Sequence, residues 1–213
     1  MRIESRWPVA LAIIFVLGLL ELLPSRVRIL PMWFPYLLVL ALIVPMAAVS
    51  ISTAKARWLR IERIVIYLFV AIAGLLNLSA LQFLLSVMLN RSKEITGLQL
   101  LSSSIALWAT NVLVFSLAYW RMDRDGPENR ANHMSTKFDW LFPQEGAPEH
   151  VPPDWHPAFV DYLFLAFSTA TAFSTTDVLP LTSRAKILMM LESTVSLVTI
   201  VTVAARAINI LGS

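Results

Sequence analysis

The sequence contains no cysteine, and charged residues make up only 15% of it. Without cysteine the chain can form no disulfide, no thiolate nucleophile and no cysteine-bound metal site. Histidine is almost as scarce, since the three that exist, His133, His150 and His156, all fall in one polar stretch. A catalytic or metal centre built on histidine therefore has little support, and we expect no enzyme activity, no bound metal and no cofactor.

Apolar residues are in excess instead. They make up 57% of the chain, against roughly 45–50% apolar and about 25% charged residues in a soluble domain. They are concentrated in uncharged runs longer than the roughly 20 residues that a helix needs to cross about 30 Å of hydrocarbon. Three such runs are Ile29–Ala54, Ile64–Asn90 and Ile95–Trp120. The sequence therefore predicts an integral membrane protein that is all-helical and crosses the bilayer several times.

Two further apolar segments complete this prediction. Trp7–Leu23 follows Arg2 and Arg6, as in a signal peptide, but no small-x-small cleavage site follows it, so we interpret it as a retained first span. Ser183–Leu211 is the last helix. With the three long runs these segments give five transmembrane helices, and a shorter apolar element at 155–177 precedes the last of them.

A polar, proline-rich loop is predicted at 122–154, within the second of two regions. Residues 1–94 are predicted to form three membrane helices, and residues 95–213 form a second region. That region comprises an outer helix at 95–121, the polar loop at 122–154, a short helix and turn at 155–177, and an inner helix at 183–211. The charges and prolines of the loop exclude a further span, and its aromatic residues Trp140, Phe142 and Trp155 are candidates for anchors at the lipid headgroups.

The basic residues indicate the orientation. The net charge is only +3, and the basic residues lie mostly between the apolar runs, which is typical of membrane topology signals and not of a nucleic-acid-binding surface. The densest group lies between the second and third runs and contains Lys55, Arg57, Arg60 and Arg63. We therefore expect the N-terminus in the cytoplasm, the lipid bilayer as the main partner and no nucleic acid partner.

Polar residues inside two of the spans are candidates for function. In the fourth span Asn111 and Tyr119 share one helical face with Trp108 and Phe115. An asparagine in mid-membrane needs a polar partner, so this face should point toward protein. It is either a helix-packing seam or an ion-contacting surface.

The last helix carries Glu192 and Arg206 on the same face. Because a lone charge in hydrocarbon is costly, each side chain should face protein or water. Each is therefore either a structural partner of a neighbouring helix, an interfacial residue, or a pore-lining or gating charge.

Residues 159–182 read FVDYLFLAFSTATAFSTTDVLPLT. An aromatic, apolar helix leads into a turn rich in threonine and serine, then an aspartate and a proline, and a long apolar helix follows. From Phe159 to Arg206 this pattern resembles the pore module of the potassium-channel superfamily. The residues that carry the resemblance are Tyr162, Phe167, Thr169, Thr171, Asp177, Pro180, Thr182, Glu192, Ala205 and Arg206.

The resemblance implies a filter at Thr171, Ala172, Phe173, Ser174, Thr175, Thr176 and Asp177. Two of these residues, Ser174 and Thr176, replace the glycines of a potassium filter. A ring of inward-pointing carbonyls needs backbone angles that glycine reaches without a steric penalty and that serine and threonine do not. We therefore expect a channel-like, pore-forming protein whose path for monovalent ions is not potassium-selective.

Pore modules of this kind assemble around an axis, so the resemblance implies a homo-oligomer, in the form of a tetramer. The chain is also similar to bacterial multi-span membrane proteins of unknown function that have the same ending without the channel glycines. This similarity implies a multi-pass protein of the cell membrane, specifically the bacterial inner membrane. A non-conducting scaffold or regulator derived from the same module is the alternative function.

The short segment before the last helix has two alternative courses. With the N-terminus inside, four spans return the chain to the cytoplasm. A re-entrant pore-like helix and loop would then open from the cytoplasmic side, opposite to potassium channels. Alternatively, Trp155–Thr176 is just long enough to cross fully, which makes six full spans and puts both termini inside.

Overall fold

The computed structural model describes residues 4–21, 23, 34–51, 55–89, 96–132, 134, 137–153, 155–171 and 178–211. The chain is mostly helical. Its helices are α1 (Trp7–Glu21), α2 (Phe34–Ile51), α3 (Lys55–Leu89), α4 (Gly97–Met122), α5 (Pro127–Ala131), α6 (Pro143–Gly146), α7 (Phe159–Thr171) and α8 (Ser183–Leu211). The other elements are two 3₁₀ turns, Asp123–Asp125 and Pro148–His150, and two short strands, β1 (Trp140–Leu141) and β2 (Leu179–Pro180).

Three of the described helices are long and apolar enough to cross a membrane. They cover Ala56–Met88, Leu98–Asp125 and Ser183–Ala205. Shorter apolar helices lie at Trp7–Glu21, Leu40–Val49 and Phe159–Thr171. The prediction of a mostly helical chain with membrane-length helices is confirmed in this coarser form, while the count of five spans stays a prediction.

The outer surface of the bundle is apolar and part of its interior is polar. Exposed large apolar side chains include Trp7, Leu11, Phe15, Leu40, Leu68, Leu75, Phe164, Met190 and Val201. Buried polar side chains include Asn77, Ser103, Thr110, Asn111, Glu192, Ser196 and Thr199. Lipid offers no hydrogen bonds, so helices in a membrane turn their polar residues toward one another. The distribution is the one that a lipid environment favours.

Helix α4 lies at the centre of the bundle. It packs against α1, α3, α7 and α8, and 61% of its most apolar stretch is buried, against 33% in α3 and 22% in α8. The small residues Ser103, Ser104 and Ala106 are buried along it and let neighbouring backbones approach closely. Polar side chains on α4 therefore meet partners from several other elements.

Charged residues collect at one end of the bundle, which we call the polar end. Arg6, just before α1, donates to Glu62 in the first part of α3. Tyr162, near the start of α7, donates to Asp123, just after α4. Helices α1, α3 and α7 therefore begin at the polar end, and α4 ends there.

The polar stretch at 122–154, expected to be a loop, is folded against the polar end. It contains both 3₁₀ turns, α5, α6 and β1. Strand β1 pairs antiparallel with β2, with Trp140 opposite Pro180 and Leu141 opposite Leu179. The sequence did not predict this two-stranded ladder, because a pairing of two residues leaves no periodic pattern in the sequence.

One expectation is wrong. Trp140 and Phe142 are buried in the core and are not headgroup anchors, because their rings pack against Tyr119 and Tyr162.

The basic stretch between the second and third apolar runs forms the first turns of α3, which begins at Lys55. Arginine and lysine have good helix propensity, so a helix can extend through such a stretch beyond its apolar part.

The turn that follows α4 depends on a glycine. Arg124, Asp125 and Gly126 have φ angles of 55°, 59° and 112°, and glycine reaches such positive values without a steric penalty. The guanidinium group of Arg121 also fills the space that a Cβ atom on Gly126 would need. The turn brings Glu128 back to Arg121, with 3.4 Å between Oε2 and Nη1.

Candidate functional site

A polar seam joins α4 to α8 in the interior of the bundle and consists of Asn111, Tyr119, Glu192 and Ser196. Asn111 Nδ2 donates to the backbone carbonyl of Glu192 at 3.2 Å and to Ser196 Oγ at 2.9 Å. The Tyr119 hydroxyl donates to Glu192 Oε2. All four residues are at most 2% exposed. These hydrogen bonds hold the two helices together where lipid would offer none.

Glu192 is the acidic residue of the polar seam. Its Oε1 atom is buried and has no hydrogen-bond partner within the described ranges. Among the residues that the structure describes, Tyr119 is the one titratable side chain that acts on it, and α3, α7 and β2, which also pack against α8, bring no charged group to it. A buried carboxyl group without a neighbouring cation is costly in a membrane interior and is a marker of function.

A groove opens between α4 and α8 about one helical turn from the polar seam. It is lined by Ser104, Ile105, Trp108, Thr199, Ile200 and Val203. Ile105 and Ile200 are 54% and 40% exposed, so the groove reaches the outer surface of the bundle. Trp108 precedes Asn111 by three residues, and its Nε1 atom is buried with no hydrogen-bond partner in the described part of the chain. The groove therefore opens at the apolar surface and ends about one helical turn short of the polar seam.

At the polar end, Arg6 binds two buried carboxylates. Its Nε atom donates to Glu62 Oε1 at 2.9 Å, and Nη2 donates to Glu128 Oε1. Its guanidinium carbon lies 5.7 Å from the ring centroid of Trp120. Arg121 Nη1 donates to the other oxygen of Glu128 at 3.4 Å. Two cations and two anions therefore balance in a group in which each charged residue is at most 8% exposed.

Arg130 of α5 ties three parts of the chain together. Its Nε atom donates to the Pro157 carbonyl at 3.0 Å, just before α7. Nη1 donates to the carbonyls of Trp120 and Asp123 at 3.1 and 3.2 Å, at the end of α4. Nη2 donates to Glu4 Oε2 at 3.0 Å, just before α1. One buried side chain thus joins the starts of α1 and α7 to the end of α4.

Asp123 connects the folded stretch after α4 to α7. Its Oδ1 atom accepts from the backbone N–H groups of Asp139 at 2.9 Å and Trp140 at 3.4 Å. Its Oδ2 atom accepts from the Tyr162 hydroxyl at 2.5 Å. The guanidinium of Arg130 lies 4.8 Å from the ring centroid of Tyr162. Asp123 and Arg130 therefore both contact Tyr162 in the first turn of α7.

Asp139 connects the polar end to the residues between β2 and α8 and to the first turn of α8. Its carboxylate accepts two hydrogen bonds from Arg184, each 2.6 Å long, and one from Thr182 Oγ1 at 2.6 Å. Its carbonyl accepts from the Leu181 N–H at 2.8 Å. The Asp139 side chain is fully buried, whereas the Arg184 side chain is 51% exposed. Helix α8 therefore also begins at the polar end.

Trp140 connects the polar end with the polar seam. Its ring centroid lies 4.8 Å from that of Tyr119 and 6.5 Å from that of Tyr162. Its Nε1 atom donates to Met189 Sδ at 3.4 Å. Tyr119 in turn donates to Glu192, so that two aromatic contacts and one hydrogen bond connect Tyr162 of α7 to Glu192 of α8.

The structure brings together residues that the sequence assigns to different groups. Asn111 and Tyr119 of the outer helix meet Glu192 of the inner helix in the polar seam. Thr171 is the last residue of α7 and is half-buried. The other predicted filter positions, 172–177, lie outside the described residues. Arg206 lies within α8, and its side chain is likewise outside the description.

Sequence reasoning missed the charged residues that order the polar end. They are Glu4, Arg6, Glu62, Glu128, Arg130, Asp139 and Arg184. A signal was present, because residues 121–130 read RMDRDGPENR, and closely spaced charges of both signs are typical of ion-paired groups. The prolines around them favoured a loop, which hid this signal.

The site contains groups that can form hydrogen bonds and ion pairs. Within the described ranges there is no group of three or more histidine, aspartate and glutamate side chains that could hold a metal ion.

No family model, curated protein or solved structure matches the chain. The resemblance to potassium-channel pore modules therefore stays a prediction from the residues themselves.

Proposed function

We propose that this chain is a channel-like protein of the bacterial inner membrane. Helices α1 to α4 form four spans, α7 belongs to a re-entrant segment, and α8 is the fifth span. The protein assembles as a tetramer and provides a path for monovalent ions that is not potassium-selective. The observation that carries the proposal is that α7 begins at the polar end and that β2, the next described element, lies there too.

The depth at which α7 ends supports a segment that enters the bilayer without crossing it. The helix has 13 residues, which rise about 20 Å, short of the roughly 30 Å of hydrocarbon. Near its far end, the Thr169 carbonyl accepts from Ser193 Oγ at 3.4 Å. Ser193 lies about 15 Å along α8 from its start. Helix α7 therefore ends near the middle of the bilayer in this proposal.

The return to the polar end supports the same course. By Leu179 the chain pairs with Leu141 of β1, and the Leu181 N–H donates to the Asp139 carbonyl at 2.8 Å. Extended chain advances about 3.3 Å per residue, so that residues 172–177 are long enough to cover this depth. Non-helical backbone at such a depth is tolerated only where it is buried in protein or lines a water-filled cavity. A shared pore meets that requirement.

The outward face of α7 supports assembly. Val160, Phe164 and Phe167 are 64%, 62% and 48% exposed, and they line one face of the helix that leads to the predicted filter. Contact with another copy would cover this face and bring copies of the hydroxyl-rich segment Thr171–Asp177 around one axis. Side-chain hydroxyls would then line the path in place of a glycine-dependent carbonyl ring.

One observation favours the alternative, a non-conducting scaffold or regulator. The polar face of α8 is turned toward α4 of its own chain, where Asn111 and Tyr119 form hydrogen bonds with Glu192 and Ser196. A pore along α8 would instead leave such residues to meet water or ions. The channel therefore has an ion path at the 172–177 segment, whereas the scaffold or regulator has none.

Ion flux distinguishes the two functions. Protein reconstituted in liposomes is expected to pass K⁺ and Na⁺ at similar rates under an imposed gradient. Thr175→Trp, which puts a bulky ring in the predicted filter, should abolish the flux. Leu75→Trp is the matched control, because Leu75 is 65% exposed on α3, and this variant should conduct like the wild type. No flux from folded, monodisperse protein would overturn the channel and favour the scaffold, and flux that survives Thr175→Trp would contradict the assigned path.

A further inference from the structure

Glu192 differs from the other buried carboxylates of the described chain. Glu62 is paired with Arg6 at 2.9 Å, and Asp139 is paired with Arg184 at 2.6 Å. In contrast, the side chain of Glu192 has a neutral hydroxyl donor and no cation among the described residues. Pairing with a cation is the usual way in which a buried carboxylate is compensated, and the described neighbours of Glu192 do not supply one.

The two oxygens of Glu192 have different environments. Oε2 accepts from the Tyr119 hydroxyl, whereas Oε1 is buried and unpartnered within the described ranges. A proton on Oε1 would cancel the charge and leave the bond to Tyr119 intact. The facing groups of α4 are Tyr119 and Asn111, and α3, α7 and β2 bring no charged side chain to Glu192 in the part of the chain described. Binding or release of one proton would therefore change the charge of the polar seam by one unit.

The groove between α4 and α8 opens about two helical turns from this carboxyl group. Ile200 lines its exposed mouth. Thr199 of its lining lies one turn from Ser196, which accepts from Asn111 in the polar seam. Ser196 is in turn one turn from Glu192 along the same face of α8. Ser196 and Asn111 therefore lie between the groove and Glu192, and both are at most 2% exposed.

We propose that Glu192 is an intramembrane proton-binding site that is reached from the outer surface through the groove between α4 and α8. The site lies within a single chain and does not rest on the proposed channel. It would exist whether or not the segment 172–177 conducts ions.

Labelling with dicyclohexylcarbodiimide tests this site. The reagent partitions into bilayers and reacts with carboxylic acids. The acid proton moves to a carbodiimide nitrogen while the carboxyl oxygen bonds to the central carbon, and the O-acylisourea rearranges to a stable N-acylurea, so no other reactant is needed. In full-length protein in liposomes, mass spectrometry of peptides should show label on Glu192 and none on the paired Glu62. Once the carboxyl group is deprotonated, labelling should fall about tenfold per pH unit.

Variants separate the site from its route. Glu192→Gln should remove the label, and Glu149→Gln, at an exposed position, should leave it unchanged. Ile200→Trp fills the mouth of the groove and should slow labelling, whereas Leu197→Trp, at a 56% exposed position that does not line the groove, should not. No label on Glu192 of folded protein at any pH, or labelling that does not vary with pH, would overturn the proposal. Protection by Na⁺ but not by choline would replace the proton site with a cation site.

Discussion

Replacing Arg130 with methionine is expected to lower the free energy of unfolding by about 3–5 kcal/mol, the range for breaking a buried ion pair by removing one partner. The substitution keeps a long apolar stem but leaves the Glu4 carboxylate without its cation. It also removes one donor each from the backbone carbonyls of Trp120, Asp123 and Pro157, of which Asp123 still accepts from the Gly126 N–H. Thermal or denaturant unfolding of the protein in detergent measures the loss.

Two further variants show whether the loss belongs to the guanidinium group. Arg130→Lys keeps the charge but not the planar fork of donors, and it should recover only part of the stability. Arg57→Met removes an exposed arginine of α3 and should stay within about 0.5 kcal/mol of the wild type. Equal stability of Arg130→Met and Arg57→Met would show that the polar end does not depend on Arg130.

Arg184 and Asp139 are expected to respond unequally to substitution. Arg184→Met leaves the fully buried Asp139 carboxylate with Thr182 as its remaining side-chain donor, and we expect a loss of about 2–3 kcal/mol. Asp139→Asn keeps an oxygen that can accept from Thr182, and the half-exposed Arg184 can return to water. Its loss should be about 1 kcal/mol. The same unfolding measurement gives both values.

The double variant tests whether this asymmetry comes from the pair itself. The double variant Asp139→Asn with Arg184→Met leaves no buried charge at this pair. Its loss of unfolding free energy should therefore be smaller than the sum of the two single losses. Strict additivity, or a larger loss for Asp139→Asn than for Arg184→Met, would contradict the assignment of the cost to an unpaired carboxylate.

The helices could be predicted from the sequence because transfer energetics depend on local composition. The outer helix was expected at 95–121 and is found at Gly97–Met122, and the inner helix is found at 183–211 as expected. Helical spacing also put Asn111 and Tyr119 on one face. Their partner Glu192 could not be assigned, since it depends on how far α4 and α8 slide along each other, and packing of the whole bundle decides that.

The polar end could not be predicted, because its contacts join distant parts of the chain. Glu4 and Arg130 are 126 residues apart, and Arg6 and Glu128 are 122 apart. No local periodicity reports such pairs. Trp140 likewise resembled an interfacial aromatic residue, and only the pairing of β1 with β2 explains why it is buried between Tyr119 and Tyr162.

Single cysteines test the re-entrant course of the chain around α7, because the sequence has no native cysteine. Exposed positions are available in the folded stretch at Met134, before α7 at Ala158, after β2 at Leu181, and before α4 at Thr96. An impermeant thiol reagent applied to oriented vesicles should label positions 134, 158 and 181 from one side and position 96 from the other. Labelling of position 181 from the side of position 96 would mean that the α7 segment crosses the bilayer fully, and the re-entrant course would be wrong.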